Sequence, residues 1–454
     1  MNTLKQHIDQ NLDRYLKELF GLLSIPSVSS QHEHVPDMHL CASHYAKLLE
    51  EIGMDKVSIH STDNHPVVYA EKMLDTALET ILVYGHYDVQ PAEPFDLWIS
   101  PPFEPEVRNG AIYARGANDD KGQSFMHLKA LEYLMEQGLL HCNVRILLEG
   151  EEEIGSPSLA KWAETHKEML ACDLILVSDT TMIAEDTPSI NCGMRGLAYI
   201  QIKVTGPDKD LHSGHYGGAI TNPILALSQL LSGMLDAQGR ITVPGFYDQV
   251  IELSDSDRAL LAKAPFSQEE FNSSISIREE VGEEGYTTKE RIGIRPCLDV
   301  CGIWGGYTGE GAKTVLPSYA QAKISARLVP NQDYRDISQK LINYLKTNAP
   351  KGVTVEVWAE HGGQGFLTPI SSRAYQAASN AIQEVYGIEP VPSRGGGSIP
   401  VLADLQNILN ANPLLMGFGL ERDTIHSPNE SFLIRQFTRG IESLIRFYLN
   451  YQQS

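Results

Sequence analysis

From about residue 35 to residue 195, apolar runs of strand length alternate with longer runs of helical period: VVYAE and ETILVYGHYDV, then FMHLKALEYLMEQ, NVRILLEGEEE, LAKWAETHKEML and DLILVSD. This alternation predicts an α/β layer structure built on a mostly parallel sheet. Sheets of that kind bind ligands beyond the carboxyl ends of their strands. Three of the runs finish there in acidic or imidazole side chains: ILVYG in His86 and Asp88, VRILLEG in Glu151, Glu152 and Glu153, and LILVS in Asp179. Tips of neighbouring strands lie close together, which predicts that these side chains converge.

A different order begins near Leu197. The strand LAYIQIKVTG precedes the helix PILALSQLLSGML, the strand YAQAKISARLV, the helix YRDISQKLINYLKTN and the strand VTVEVWAE. That succession resembles a two-layer α+β sandwich, an antiparallel sheet with two helices on one face. Residues from about 240 to 312 are less regular and read as an insertion within it. After HGGQGFLTP the α/β pattern returns, with helices at SSRAYQAASNAIQEVYG and FLIRQFTRGIESLIRFYLNYQ around the glycine-rich SRGGGSIPV. A chain of 454 residues exceeds one compact core. The predicted organisation is therefore a discontinuous α/β domain, 1–196 with 362–454, carrying an inserted α+β domain over 197–361.

The charge balance narrows the partners. Against 36 basic side chains stand 58 acidic ones, a formal charge of −22 that repels nucleic acid and anionic membranes. Leu4, Ile8, Leu12, Leu16 and Phe20 recur at helical spacing, which predicts an amphipathic first helix closed by Pro26 and leaves no uninterrupted apolar core for a signal peptide. Nowhere does the chain offer the roughly 18 consecutive apolar residues of a membrane span. Six scattered cysteines imply no disulfide framework and point to a reducing cytosol; Cys297 and Cys301 in CLDVC read as two buried thiols.

The chemistry-bearing residues each admit a structural and a functional reading. In extended chain, His86 and Asp88 face the same way, so Asp88 is placed to accept the second ring N–H of a metal-bound imidazole; taken alone, His86 suits a hydrogen-bonded structural role better. Asp119 and Asp120 in ARGANDDKGQ either cap the helix that follows or supply a carboxylate that bridges two ions. In EGEEEIGS, four of five residues are acidic at a strand end, where their repulsion calls for cations or solvent. Here one glutamate can bind metal while its neighbour takes a proton from water. Asp179 of VSDT and His426 of GLERDTIHSPNE complete a mixed nitrogen and oxygen set suited to zinc, manganese or cobalt.

GHYDVQP, RGANDDKG, EGEEEIGS, SDT, DLHSGHYGG, AKTVLP, RLVP, GGGSIP and HSPNE, in this order from near Leu16 to the final helix, resemble the M20 family of dinuclear metallopeptidases. The likeness is to its branch of cytosolic nonspecific dipeptidases and carnosinases. It implies a ferredoxin-like lid and dimerisation domain and two divalent metals, zinc first, with manganese or cobalt as alternatives. By position, His86, Asp119 and Asp179 would hold one ion and Asp119, Glu153 and His426 the other, with an unusual peptide bond after Asp119. Glu152 would be the general base and Asp88 the partner of His86, although a slip of one residue in EEE exchanges the glutamates' roles. The resemblance further implies a cytoplasmic homodimer in which His212 reaches the partner's active site; His215 matches no motif position. Arg327, Thr314, His361 and Ser398 would bind the substrate, chiefly its terminal carboxylate. The implied reaction is hydrolysis of dipeptides or short peptides by hydroxide bridging the metals; removal of the acyl group from N-acyl amino acids is the alternative at the same site.

Overall fold

The computed structural model describes residues 4–395 and 399–453. Its larger sheet has the strand order Lys56–His60, Val67–Lys72, Asn143–Glu149, Thr80–His86, Leu174–Val177, Asn412–Leu415, Ser189–Met194 and Phe366–Leu367, with Val391–Gly395 also paired to Ser189–Met194. Asn143–Glu149, Thr80–His86, Leu174–Val177 and Asn412–Leu415 run parallel at the centre. Antiparallel pairs extend that centre on both sides, so the sheet is mixed.

The period of two along each strand feeds two cores. From Thr80–His86, Ile81 and Val83 enter a cluster with Leu19, Tyr45, Phe125, Leu128, Ala378 and Leu444, whereas Leu82 and Tyr84 enter another with Trp162, Leu402 and Leu405. Helices therefore cover both faces, and the central strands have no solvent side. This explains their near-continuous apolar runs. The first helix, Leu4–Leu23, buries Ile8, Tyr15, Leu19, Leu22 and Leu23 against the larger cluster.

The second sheet is antiparallel throughout, in the order Cys297–Gly305, Tyr319–Leu328, Gly196–Thr205 and Thr354–Gly363. Helices Pro223–Ser232 and Tyr334–Thr347 pack on one face, over Ala198, Ile200, Ile202, Ala322 and Ile324. Both start on built caps: Asn222 accepts from the Ile224 N–H ahead of Pro223, and Asp333 accepts from those of Arg335 and Asp336. The end of the irregular 240–312 stretch is the edge strand Cys297–Gly305. Its side chains alternate poorly between buried and exposed because, among the described residues, nothing pairs beyond it, which hid it in the sequence. CLDVC lies on this strand. Instead of being two buried thiols, Cys297 is half-buried and Cys301 exposed.

Candidate metal centre

Parallel pairing sets the carboxyl ends of Asn143–Glu149, Thr80–His86 and Leu174–Val177 side by side. At that edge, ligand atoms of His86, Asp119 and Asp179 lie within 4.8 Å of one another, and so do those of Asp119, Glu153 and His426. Asp119 belongs to both sets through different oxygens. Its Oδ1 is 3.0 Å from His86 Nε2, and its Oδ2 is 2.9 Å from His426 Nε2. Asp179 Oδ2 approaches His86 Nε2 at 3.8 Å, and Glu153 Oε2 approaches His426 Nε2 at 3.2 Å.

His86 and Glu153 are held from behind. His86 Nδ1 donates to the Asp88 carbonyl at 3.0 Å, leaving Nε2 for the cluster, while Asp88 Oδ1 stands 3.4 Å from Nδ1. The Asp88 carboxylate accepts chiefly from the backbone N–H groups of Glu152 and Glu153, at 3.2 and 3.0 Å. It therefore fixes the turn that presents both glutamates. Gln90 Nε2 donates to Glu153 Oε2 at 2.8 Å. Glu151 turns away, its oxygens accepting from Thr62 Oγ1, the His65 N–H and the Ser158 N–H. Asp120 makes no cap hydrogen bond to helix Lys121–Glu136; Oδ2 accepts from the His86 N–H, and Oδ1 is buried without a partner. The peptide bond joining Asp119 to Asp120 is cis.

Sequence reasoning passed over Glu430, four residues after His426 in HSPNE. It is fully buried and accepts from Arg115 Nη1 at 2.8 Å and from the N–H groups of Gly116, Asn118 and Asp119 at 2.9, 2.9 and 3.1 Å. One carboxylate thus fastens the loop bearing Asp119 to the segment bearing His426. The signal available was a pair of complementary charges, Arg115 and Glu430, inside two motifs otherwise read for their ligands.

Electrostatics test whether this set suits cations. Burial pushes the Asp179 carboxyl up to about 7, with the charges of Asp119 and Glu153 adding to the shift and His86 opposing it. Burial likewise holds Glu152 well above the usual carboxylate range, against the pull of His86 and with Asp179 and Glu153 adding. Burial disfavours the Asp119 anion too, but hydrogen bonds from His426 and His86 outweigh it and keep that carboxyl low. Hydrogen bonds to Asp119 and Glu153 raise His426 to about 10. Burial and mutual repulsion thus disfavour the anions of acids that crowd one buried space. Divalent cations relieve the same crowding, and the imidazole and carboxylate donors fit them.

Of the other predicted residues, His212, Thr314, Arg327 and His361 lie on the second sheet and on segments beside it. His212 is exposed; its ring stacks on His215 at 4.5 Å between centroids and accepts from the Gly214 N–H, contacts that do not reach the cluster. Thr314 accepts the Ser213 N–H through its carbonyl, next to His212. Arg327 pairs with Leu197 and His361 with Tyr199, on which it stacks at 4.8 Å. Paired residues of an antiparallel sheet share a face, so Arg327 and His361 both lie on the face away from the two helices. Ser398 falls outside the described residues.

The profile of Peptidase family M20/M25/M40 matches residues 82–450. The Cys-Gly metallodipeptidase dug1 of Schizosaccharomyces pombe is 31% identical over 462 residues, covering 97% of this chain and 96% of that protein. The human Beta-Ala-His dipeptidase is 30% identical over 475 residues, covering 99% and 92%. Among solved structures, an M20 family metallo-carboxypeptidase, Sso-CP2 of Sulfolobus solfataricus, superposes with a TM-score of 0.85 at 32% identity, over 97% of this chain and 99% of that one.

Proposed function

The chain belongs to the M20 peptidase family and is a metal-dependent hydrolase, and we propose that it cleaves the peptide bond of dipeptides and other short peptides. The carrying observation is Asp119, whose two oxygens face separate His and carboxylate sets, as a carboxylate bridging two cations requires. His86, Asp119 and Asp179 would hold one ion, and Asp119, Glu153 and His426 the other. Zinc suits these donors first, with manganese or cobalt also admissible. When bound, two such ions polarise a carbonyl and lower the pKa of water, the demanding part of amide hydrolysis near neutral pH.

The chain's own residues supply the remainder. Glu152 takes the proton from the attacking water and delivers it to the leaving amine, a task for which a carboxyl whose proton affinity is raised by burial is suited. Asp88 fixes the turn carrying Glu152 and the orientation of His86. His212, contributed by the partner in a homodimer, stabilises the oxyanion. Arg327, with Thr314, His361 and Ser398, receives the terminal carboxylate, for which a guanidinium offers a planar fork. Residence in the cytoplasm is part of the same proposal, resting on six free cysteines. Among the described residues, no helix is long and apolar enough to cross a membrane.

The test is hydrolysis by EDTA-stripped protein, with Zn2+, Mn2+ or Co2+ added back, of neutral dipeptides beside N-acetyl and N-succinyl amino acids. Metal-restored dipeptide cleavage is the expected result. Cleavage of only the acylated amino acids would replace the substrate assignment, and no cleavage with any metal would overturn the mechanism.

A further inference from the structure

A cavity of about 530 Å³ opens beside the candidate metal centre. Its wall includes Thr181, two residues beyond Asp179, and Ile425, which adjoins His426, so it follows two of the segments that supply ligand atoms. Lys289, from helix Thr288–Gly293, and Arg394, from strand Val391–Gly395, also line it, and both line a second cavity of about 310 Å³. The two cations stand where the cavities meet.

Both are half-buried and lack a carboxylate. Three buried cations of this acidic molecule are matched, Arg115 with Glu430, Lys129 with Glu132 and Arg295 with Glu283, whereas buried Lys121 donates to the Leu22 and Ile25 carbonyls. Among the described residues, Lys289 and Arg394 form no ion pair. Lys289 Nζ donates to the Ala264 carbonyl at 3.1 Å, and Arg394 Nε is buried without a hydrogen-bond partner. Glu421 is the one acid among the residues lining the larger cavity, and it is exposed. Partial burial without an anion is unfavourable for an ammonium and pulls Lys289 below the ordinary lysine range. An incoming carboxylate would supply the missing charge, and guanidinium geometry favours it in two-bond contact.

We propose that Lys289 and Arg394 form a subsite for a carboxylate on the substrate's side chain, so that dipeptides containing a glutamyl or aspartyl residue are preferred. The inference rests on the dipeptidase reading and specifies its substrate. It also explains how an acidic substrate is held by a protein of net charge −22, whose overall field opposes it.

The experiment compares kcat/KM for Glu-Gly with Gln-Gly and Lys-Gly, for Gly-Glu with Gly-Gln and Gly-Lys, and for Gly-Gly with its C-terminal amide, using metal-loaded wild type, Arg394→Gln, Lys289→Gln and Arg394→Glu. We expect a Glu:Gln ratio of at least ten in one position. It falls toward one in the two Gln variants, and Arg394→Glu turns the preference toward a lysyl residue in that position. Each ratio is internal to one preparation, so a general loss of folded protein does not imitate it. A ratio near one in both positions overturns the subsite while leaving dipeptide hydrolysis standing, including the case where amidation alone matters and the cations serve the terminal carboxylate. A ratio that survives in both Gln variants also overturns it. If no dipeptide is cut, neutral or acidic, the dipeptidase reading falls and takes the subsite with it.

Discussion

Glu151, Glu152 and Glu153 are consecutive and chemically identical, yet their surroundings give them three different tasks. Glu151 is spent on Thr62, His65 and Ser158, and Glu153 on Gln90 and His426. Among the described residues Glu152 has no such partner, and its proton affinity is raised by burial and by the acids around it. Replacing it with Gln keeps size and burial but removes the base. We expect Glu152→Gln to bind two equivalents of metal and to lose about 10²- to 10⁴-fold in kcat; a near wild-type rate would remove Glu152 from that role. Sequence alone brought the acids to a strand end but left their roles one residue uncertain, because side-chain direction in a short turn depends on what each carboxylate finds to accept from. Glu430 went unread for a related reason: it acts on backbone N–H groups, which carry no residue signature. In Glu430→Gln, an amide N–H2 must face donors. We expect metal affinity, measured by calorimetric titration of the metal-free protein, to fall about 10- to 100-fold. Unchanged affinity would reduce Glu430 to a partner for Arg115.

Elements explain why the centre was legible at all. Parallel strands deliver their carboxyl ends to one edge, so apolar runs ending in His86, Glu149 to Glu153 and Asp179 could be assigned to one place before any coordinate was known. The strand Cys297–Gly305 shows the opposite case. At a sheet edge neither periodicity nor burial is imposed strongly, and the sequence carries little trace of it. A pH dependence belongs at this scale, where helix Lys121–Glu136 packs against the end of Leu174–Val177. His127 is fully buried there, its Nε2 2.8 Å from Ser178 Oγ, and burial lowers its pKa to about 3. The unfolded chain takes up this proton near pH 6.5, whereas the folded chain resists it until about pH 3. Stability from neutral His127 is therefore complete above about pH 6.5 and is lost as pH falls toward 3, on the order of a few kcal/mol in all. Denaturant unfolding of metal-free protein should show the stability of His127→Gln falling less steeply than wild type between pH 6.5 and 4. Parallel slopes would mean that His127 does not titrate with unfolding.

At the scale of the whole molecule, the question is whether one chain contains a complete site. His212 lies on the inserted domain and is exposed, with its contacts spent on Gly214 and His215. A two-fold dimer exchanges equivalent segments, so a histidine that misses its own centre can serve the neighbour's while the neighbour's serves in return. This makes a prediction that separates donation in trans from action within one chain. Glu152→Gln and His212→Asn should each be nearly inactive alone. Co-refolded in equal amounts, they should form heterodimers in which one site joins an intact Glu152 to the other subunit's intact His212. With half the dimers mixed and one good site in each, activity should approach about a quarter of wild type, on the statistics of random pairing. If His212 acts within its own chain, no heterodimer contains a complete site and mixing yields only the sum of the two residual rates. The result also bears on the lid: Arg327 and His361 share its helix-free face, and recovery of activity would mean that this face and the partner's His212 close over one substrate together.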